Sequence, residues 1–297
     1  MMRRICLLTL FLGVLVGTTS ASATPGVKCG DTLTSDTTLE TDLIGCPGDG
    51  LRVVGDVTLD LNGHTISGSG TGVGVWLGYG SSPGVMAVRG GTVRGFGTGI
   101  KYVGGCCPRS KATILGVNIR DNVGNGLLTA SDSPNLVLRD SSVVGNGGVG
   151  VVLYAYSPLS ELTRNRIAHN SGNGIELEYS SGASIINANQ IIANGGDGIY
   201  TFDASSTTTH NFVYGNGGTG INFYENEGLT YGSSYFLASN QADHNGALGI
   251  SACIRDANIP TEHFCLPGMR DGGGNTASGN GDPRQCVNIV CAPSRRS

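Results

Sequence analysis

Apolar and polar positions alternate along this chain in short bursts. Ile175-Glu-Leu177, Ile199-Tyr-Thr201 and Ile221-Asn-Phe223 each alternate with the period of a strand. Gly and Asn interrupt every burst, so no run reaches the length of a stable helix. The bursts also recur. Residues 165–175 read Asn-Arg-Ile-Ala-His-Asn-Ser-Gly-Asn-Gly-Ile, and the pattern Asn-x-apolar-x-x-Asn-x-Gly-x-Gly-Ile returns 24 and then 22 residues later. The glycine before the apolar residue marks the repeat as Gly50, Gly74, Gly99, Gly126, Gly150, Gly174, Gly198, Gly220 and Gly249, in steps of 22 to 29 residues. Self-similarity at this period is the signature of a solenoid.

A unit of ~24 residues holds three short strands and three turns, and stacked coils lie about 4.8 Å apart. Asn122, Asn146, Asn170, Asn194, Asn216 and Asn245 each stand four residues before a marker; Asn165, Asn189, Asn211 and Asn240 stand nine before. Identical amides at coil spacing predict hydrogen-bonded ladders. The predicted fold is all-β, a right-handed parallel β-helix solenoid of about eight or nine coils with disulfide-stapled ends. The hand follows the general rule for parallel crossovers. Glycine supplies 50 of the 297 residues, more than twice the usual share.

The ends read differently from the body. Residues 1–23 look like a secretory signal: Arg3 and Arg4, an apolar run over residues 5–16, and Ala21-Ser-Ala23 as the cleavage site. The expected location is secreted, periplasmic or cell-surface. The whole chain carries a formal charge of −4, which falls to −6 without the two arginines. That balance gives no footing for nucleic acid or an anionic membrane, and no membrane insertion is expected after cleavage. Residues 24–67 read as the N-terminal cap and opening coil, 68–252 as the helix body, and 253–297 as a last coil and Cys-rich cap. Export permits disulfides. The sequence alone leaves connectivity open; nearness along the chain favours Cys29–Cys46, Cys253–Cys265 and Cys286–Cys291. Staples there would close the exposed ends of a solenoid. The adjacent Cys106-Cys107 has no assigned partner. No Cys-x-x-Cys or neighbouring His has metal-ligand spacing.

Three stretches carry a resemblance: Cys29-Gly-Asp-Thr-Leu33, then Leu59-Asp-Leu-Asn-Gly-His-Thr-Ile66-Ser-Gly68, then the repeated Asn-x-x-x-Gly-Ile coils. Together they resemble bacterial secreted right-handed parallel β-helix proteins of the NosD-type and pectin-lyase-like superfamily. The resemblance covers nearly all of the chain after the signal and implies the fold. It implies activity only broadly, because that superfamily holds lyases, polygalacturonases, alginate epimerases and members without assigned activity. The polygalacturonase signatures Asn-Thr-Asp, Asp-Asp, Gly-His-Gly and Arg-Ile-Lys are absent. The epimerase motif Asp-Pro-His-Asp is met only at Asp203, within Tyr200-Thr-Phe-Asp203.

Strand alternation sends the first and third residues after each marker inward and the second and fourth outward. The outward set includes Tyr154, Glu176, Glu178, Tyr200, Phe202, Asn222 and Tyr224. Flat rings suit the apolar face of a sugar, while carboxylates and an amide suit its hydroxyls. Tyr154, Tyr200, Phe202, Asn222 and Tyr224 are therefore the candidate glycan-binding residues, with an extracellular or cell-surface polysaccharide as the expected partner. The same aromatics also fit plain packing between coils. Residues 225–235 are expected to bulge as a loop beside this face. Asp203 and Glu225 each fall five residues after a marker and are expected to stack near Glu178. Glu176, Glu178, Asp203 and Glu225 are thus candidate catalytic carboxylates for a lyase, hydrolase or epimerase. No cofactor is required, although the same acids offer oxygen ligands to Ca²⁺. Three readings stand: a glycan-binding or surface-interaction protein, a polysaccharide-modifying enzyme, and a scaffold without ligand. His169 and His244 share a repeat position three coils apart, too far to share a ligand.

Overall fold

The computed structural model describes residues 26–78, 84–104, 110–130, 135–154, 159–179, 184–224, 233–255, 263–265 and 269–294. Every regular element among these residues is a strand, and each coil stacks parallel on the next. One strand of every coil enters a first sheet: Val73–Leu77, Thr98–Tyr102, Leu127–Thr129, Val151–Tyr154, Ile175–Glu178, Ile199–Phe202 and Ile221–Tyr224. The other two strands of each coil form a second, curved wall. In two coils these merge into continuous strands, Val85–Arg94 and Lys111–Arg120. Gly90 and Gly116 sit mid-strand in these with φ of 59° and 62°, the left-handed region that glycine enters without a Cβ penalty.

The regular stack runs through about seven turns rather than eight or nine. The seven begin at markers Gly74 through Gly220. The coils that begin at Gly50 and Gly249 belong to the ends. Cys29–Cys46 staples the first of these ends and Cys286–Cys291 the second. Cys253 and Cys265 face each other across an antiparallel pair of strands. Their side chains, like Cys106-Cys107, lie outside the described residues. Of the expected 225–235 loop, residues 225–232 lie outside the described residues, and its last residue belongs to the core. Tyr235 opens the strand Tyr235–Ala238, is fully buried and packs edge-on against Phe223 at 5.2 Å.

The core is a set of columns. Ile100, Leu127, Val151, Ile175, Ile199, Ile221 and Ile250 lie in register along the first sheet and are fully buried. Both asparagine ladders form. In the first, each Asn from 122 to 245 donates its backbone N–H and its Nδ2 to the Oδ1 of the next coil's Asn, at 2.8–3.1 Å. The second Nδ2 hydrogen of Asn146 through Asn245 goes to a main-chain carbonyl, so these buried amides have partners on every side. The second ladder runs from Asn165 through Asn189, Asn211 and Asn240 to Asn275 in the same way.

The marker glycines have a packing cause. A Cβ on Gly174 would lie 2.6 Å from the Gly198 carbonyl oxygen and 2.7 Å from Ile191 Cγ2. The same close approach repeats at Gly126, Gly150, Gly198 and Gly220.

Candidate functional site

Two outward columns of the first sheet hold most of the expected site. In the first, Val152, Glu176, Tyr200, Asn222 and Ser251 stand in register; in the second, Tyr154, Glu178, Phe202 and Tyr224 do. Alternation therefore places all five candidate glycan-binding residues on one face, with Glu176 and Glu178 among them. Asp203 departs from this arrangement. Its φ is 48°, its side chain is only 2 % exposed, and it adds nothing to the open acidic surface. Glu225 lies outside the described residues.

The rings form an unbroken row that includes one residue the pattern did not point to. Tyr154 meets Tyr179 edge-to-face at 6.4 Å, and Tyr179 meets Phe202 edge-to-face at 4.9 Å. Phe202 then stacks on Tyr224 at 5.3 Å with 21° between planes. Tyr179 follows Glu178 and alternation would send it inward. Its φ of 51° turns the chain at the strand end, and the ring stays 39 % exposed, as does Tyr154. Aromatic pairs in these geometries stabilise one another while leaving a ring face to solvent.

Polar groups border the row. Asn173 Nδ2 donates to Glu176 Oε2 at 2.6 Å, and Asn222 Nδ2 donates to Asp197 Oδ2 at 2.8 Å. Asp197 also accepts the Thr219 N–H at 2.6 Å, and its own N–H donates to Asn173 Oδ1 at 2.7 Å. Asn173 and Asp197 were not among the expected site residues. Their signal was an Asx immediately before a marker glycine, and it recurs as Asp49 and Asn125, each accepting an amide from the next coil.

The electrostatics follow from this crowding. Burial lifts the Glu178 carboxyl above its ordinary value, and the Glu176 carboxyl adds repulsion and a hydrogen bond that favours the protonated form. Burial also lifts Asp197, against the opposing hydrogen bonds from Asn222 and Thr219. Tyr200 is pushed up to about 12, first by burial and then by Tyr224, Glu176, Glu178 and Asp197. It is a phenol that stays protonated. The face thus offers flat rings, the phenolic hydroxyls of its tyrosines, and acceptors on Glu176, Glu178 and Asp197.

Comparison with known proteins bears on the fold. The pectate lyase Pel9A superposes with a TM-score of 0.53 at 14 % identity, over 90 % of this chain and 72 % of that one. The periplasmic alginate epimerase AlgG gives 0.51 at 16 %, over 90 % and 78 %. The catalytic domain of an α-1,3-glucanase gives 0.50 at 12 %, over 90 % and 63 %. At these identities the likeness is one of fold. A comparison with curated protein sequences finds no match. The family described as periplasmic copper-binding protein (NosD) matches residues 32–228, well over half of the chain.

The copper in that description can be tested against the donors. Copper sites draw on His, Cys and Met held together. Among the described residues no three His, Cys, Asp or Glu side chains converge. His64 contacts Asp42 at 3.0 Å near the first end, while His244 packs against Tyr214 at 5.0 Å on another face. The described residues do not fit a copper centre. The periplasmic assignment does fit, since both disulfides require an oxidising compartment outside the cytoplasm. By its sequence match, its parallel β-solenoid and its location, the chain belongs to the NosD family.

Proposed function

We propose that this protein binds a polysaccharide along the Tyr154–Tyr224 face of the first sheet. The observation that carries the reading is the unbroken ring row Tyr154–Tyr179–Phe202–Tyr224 beside Glu176, Tyr200 and Asn222. Coils about 4.8 Å apart set these groups at a spacing close to that of sugar units. The solved structures of the same fold are named for polysaccharide chemistry, which agrees with this ligand class but carries only the fold. The test is a glycan array probed with the purified protein and with a Phe202→Ala/Tyr224→Ala variant. Binding lost in the variant, with an unchanged circular dichroism spectrum, supports the reading. Absence of binding to any glycan overturns it and leaves the rings as packing between coils.

A second reading, turnover of the bound chain, is favoured by one observation: the Glu178 carboxyl is hydrogen-bonded to Glu176 and held above its ordinary value. A carboxyl pKa raised in this way is shifted in the direction that general acid catalysis needs. Incubating the protein with whichever polysaccharide it binds, and assaying new reducing ends, unsaturated products or altered uronate composition, checks this. Product formed by the protein and lost in Glu178→Gln would support turnover. Absence of product would leave binding alone.

A further inference from the structure

The distribution of charge along the chain is lopsided in a way that bears on the same face. Residues 167–254 contain no Lys and no Arg, yet seven of the 22 acidic residues. All 18 cationic side chains lie elsewhere. This stretch supplies both outward columns from Glu176 to Ser251, and the ring row from Tyr179 to Tyr224. Among the described residues, the side-chain and backbone donors recorded on Glu176 and Asp197 are neutral: Asn173 on the first, Asn222 and the Thr219 N–H on the second.

The nearest cation in the same column is Lys101, three coils below Glu176 by register through Leu128 and Val152. Three coils is about 14 Å, beyond the screening length at physiological salt. Lys101 is also engaged, with its Nζ 4.8 Å from the centre of the Trp76 ring. Arg164 lies on another face and holds both oxygens of Asp140, at 2.7 and 2.8 Å. Carboxylate, sulfate and phosphate groups are recognised by Arg and Lys, or through a bridging metal ion. The first is missing from these coils. For the second, the described residues bring no three acidic, His or Cys side chains together. A uronate carboxylate laid along this face would meet Glu176, Glu178 and Asp197 with nothing to offset them. Sugar hydroxyls, by contrast, are donors, and these carboxylates are acceptors.

We propose that the glycan taken by this face bears no carboxylate, sulfate or phosphate. It stacks on the Tyr154–Tyr179–Phe202–Tyr224 row and donates its hydroxyls to Glu176, Glu178 and Asp197. This rests on the reading of the face as a glycan site and narrows its substrate class. It runs against what the pectate lyase and alginate epimerase of the same fold would lead one to expect, since both are named for polyuronates.

The test measures binding of the full protein to two sets of soluble polymers. One set is uncharged: dextran, galactomannan and hydroxyethylcellulose. The other is anionic: polygalacturonate and alginate, each with and without Ca²⁺. The expected result is binding confined to the uncharged set, insensitive to salt and lost in Phe202→Ala/Tyr224→Ala. In Glu176→Gln/Glu178→Gln, a near-isosteric change, uncharged binding should weaken by roughly tenfold and any residual polyuronate binding should strengthen. Polyuronate binding as tight as any uncharged polymer, lost in the ring variant, would sink this inference while keeping the glycan site. The inference fails equally if Ca²⁺ is what makes polyuronate bind. No binding in either set would remove the glycan site itself, and the substrate class with it.

Discussion

Asn170 gives two hydrogen bonds to one atom. Its backbone N–H and its Nδ2 both reach Asn194 Oδ1, at 3.1 and 2.9 Å, inside a core where both residues are nearly fully buried. Replacing Asn194 by Ala leaves both Asn170 donors without that acceptor and removes the donation to Asn216. The expected cost is roughly 2–4 kcal/mol, measured as a fall in denaturation midpoint. Asn194→Asp should be worse at neutral pH than in acid. The new carboxylate would face Asn216 Oδ1, so its folded pKa would rise above the unfolded value. The ionisation penalty would be absent below the unfolded pKa, would grow as pH rises above it, and would level off past the folded one.

Gly174 and His169 make a contrasting pair. A Cβ at Gly174 collides with the backbone of the next coil, so Gly174→Ala should destabilise by about 1–3 kcal/mol. His169 has a φ of 56°, is exposed, and occupies the position that is glycine in Gly145 and Gly215. His169→Gly removes the left-handed strain but loosens the unfolded chain, and should leave stability within about 0.5 kcal/mol. A thermal melt of each variant separates a glycine needed for space from a position where glycine is one option.

The two staples should differ in weight. Cys29–Cys46 closes a separation of 17 residues and Cys286–Cys291 one of 5. Chain-entropy arguments assign about 3 kcal/mol to the first and about 2 to the second. Cys29→Ala/Cys46→Ala should therefore lower the melting temperature more than Cys286→Ala/Cys291→Ala, in non-reducing buffer.

Glu178 should make the protein less stable as pH rises. Its folded pKa is raised, chiefly by burial, so the native state holds its proton longer than the unfolded chain does. Below the ordinary carboxylate pKa of about 4 both states are protonated and the group contributes nothing. Above it the native state carries a growing penalty that levels off past the raised value. Melting temperatures from about pH 4 to about pH 8 should fall more steeply for the wild-type chain than for Glu178→Gln. Parallel curves would show that Glu178 ionises freely.

Much of this was legible in the sequence because the repeat writes the same geometry many times. Period-two alternation put Ile175 and Leu177 inside and Glu176 and Glu178 outside, and the asparagine columns announced their ladders. What escaped was set by single backbone angles and by turns. Tyr179 joins the ring row because its left-handed φ breaks the alternation one residue after the strand. Asp203, with the same kind of angle after Phe202, is buried instead of exposed. Asp197 sits in a turn, where period carries no information about which way a side chain faces, and only its contacts with Thr219 and Asn222 reveal its place. The spacing of the marker glycines could not tell body from cap, so the outermost coils were counted with the rest.

The asparagine ladder has a polarity. Every side-chain amide in it points one Nδ2 hydrogen toward the C-terminal end and its oxygen back, from the Phe96 N–H received by Asn122 to the Nδ2 of Asn280. Such a chain needs an oxygen to finish on, and Gln285 Oε1 supplies it, accepting from Asn280 Nδ2 at 2.9 Å and from its backbone N–H at 3.1 Å. The terminator is specified apart from the rungs, so the length of the solenoid is free to vary. Whole coils can be added or removed between the two ends like cars in a train, while an insertion that shifts one asparagine out of step uncouples everything downstream of it.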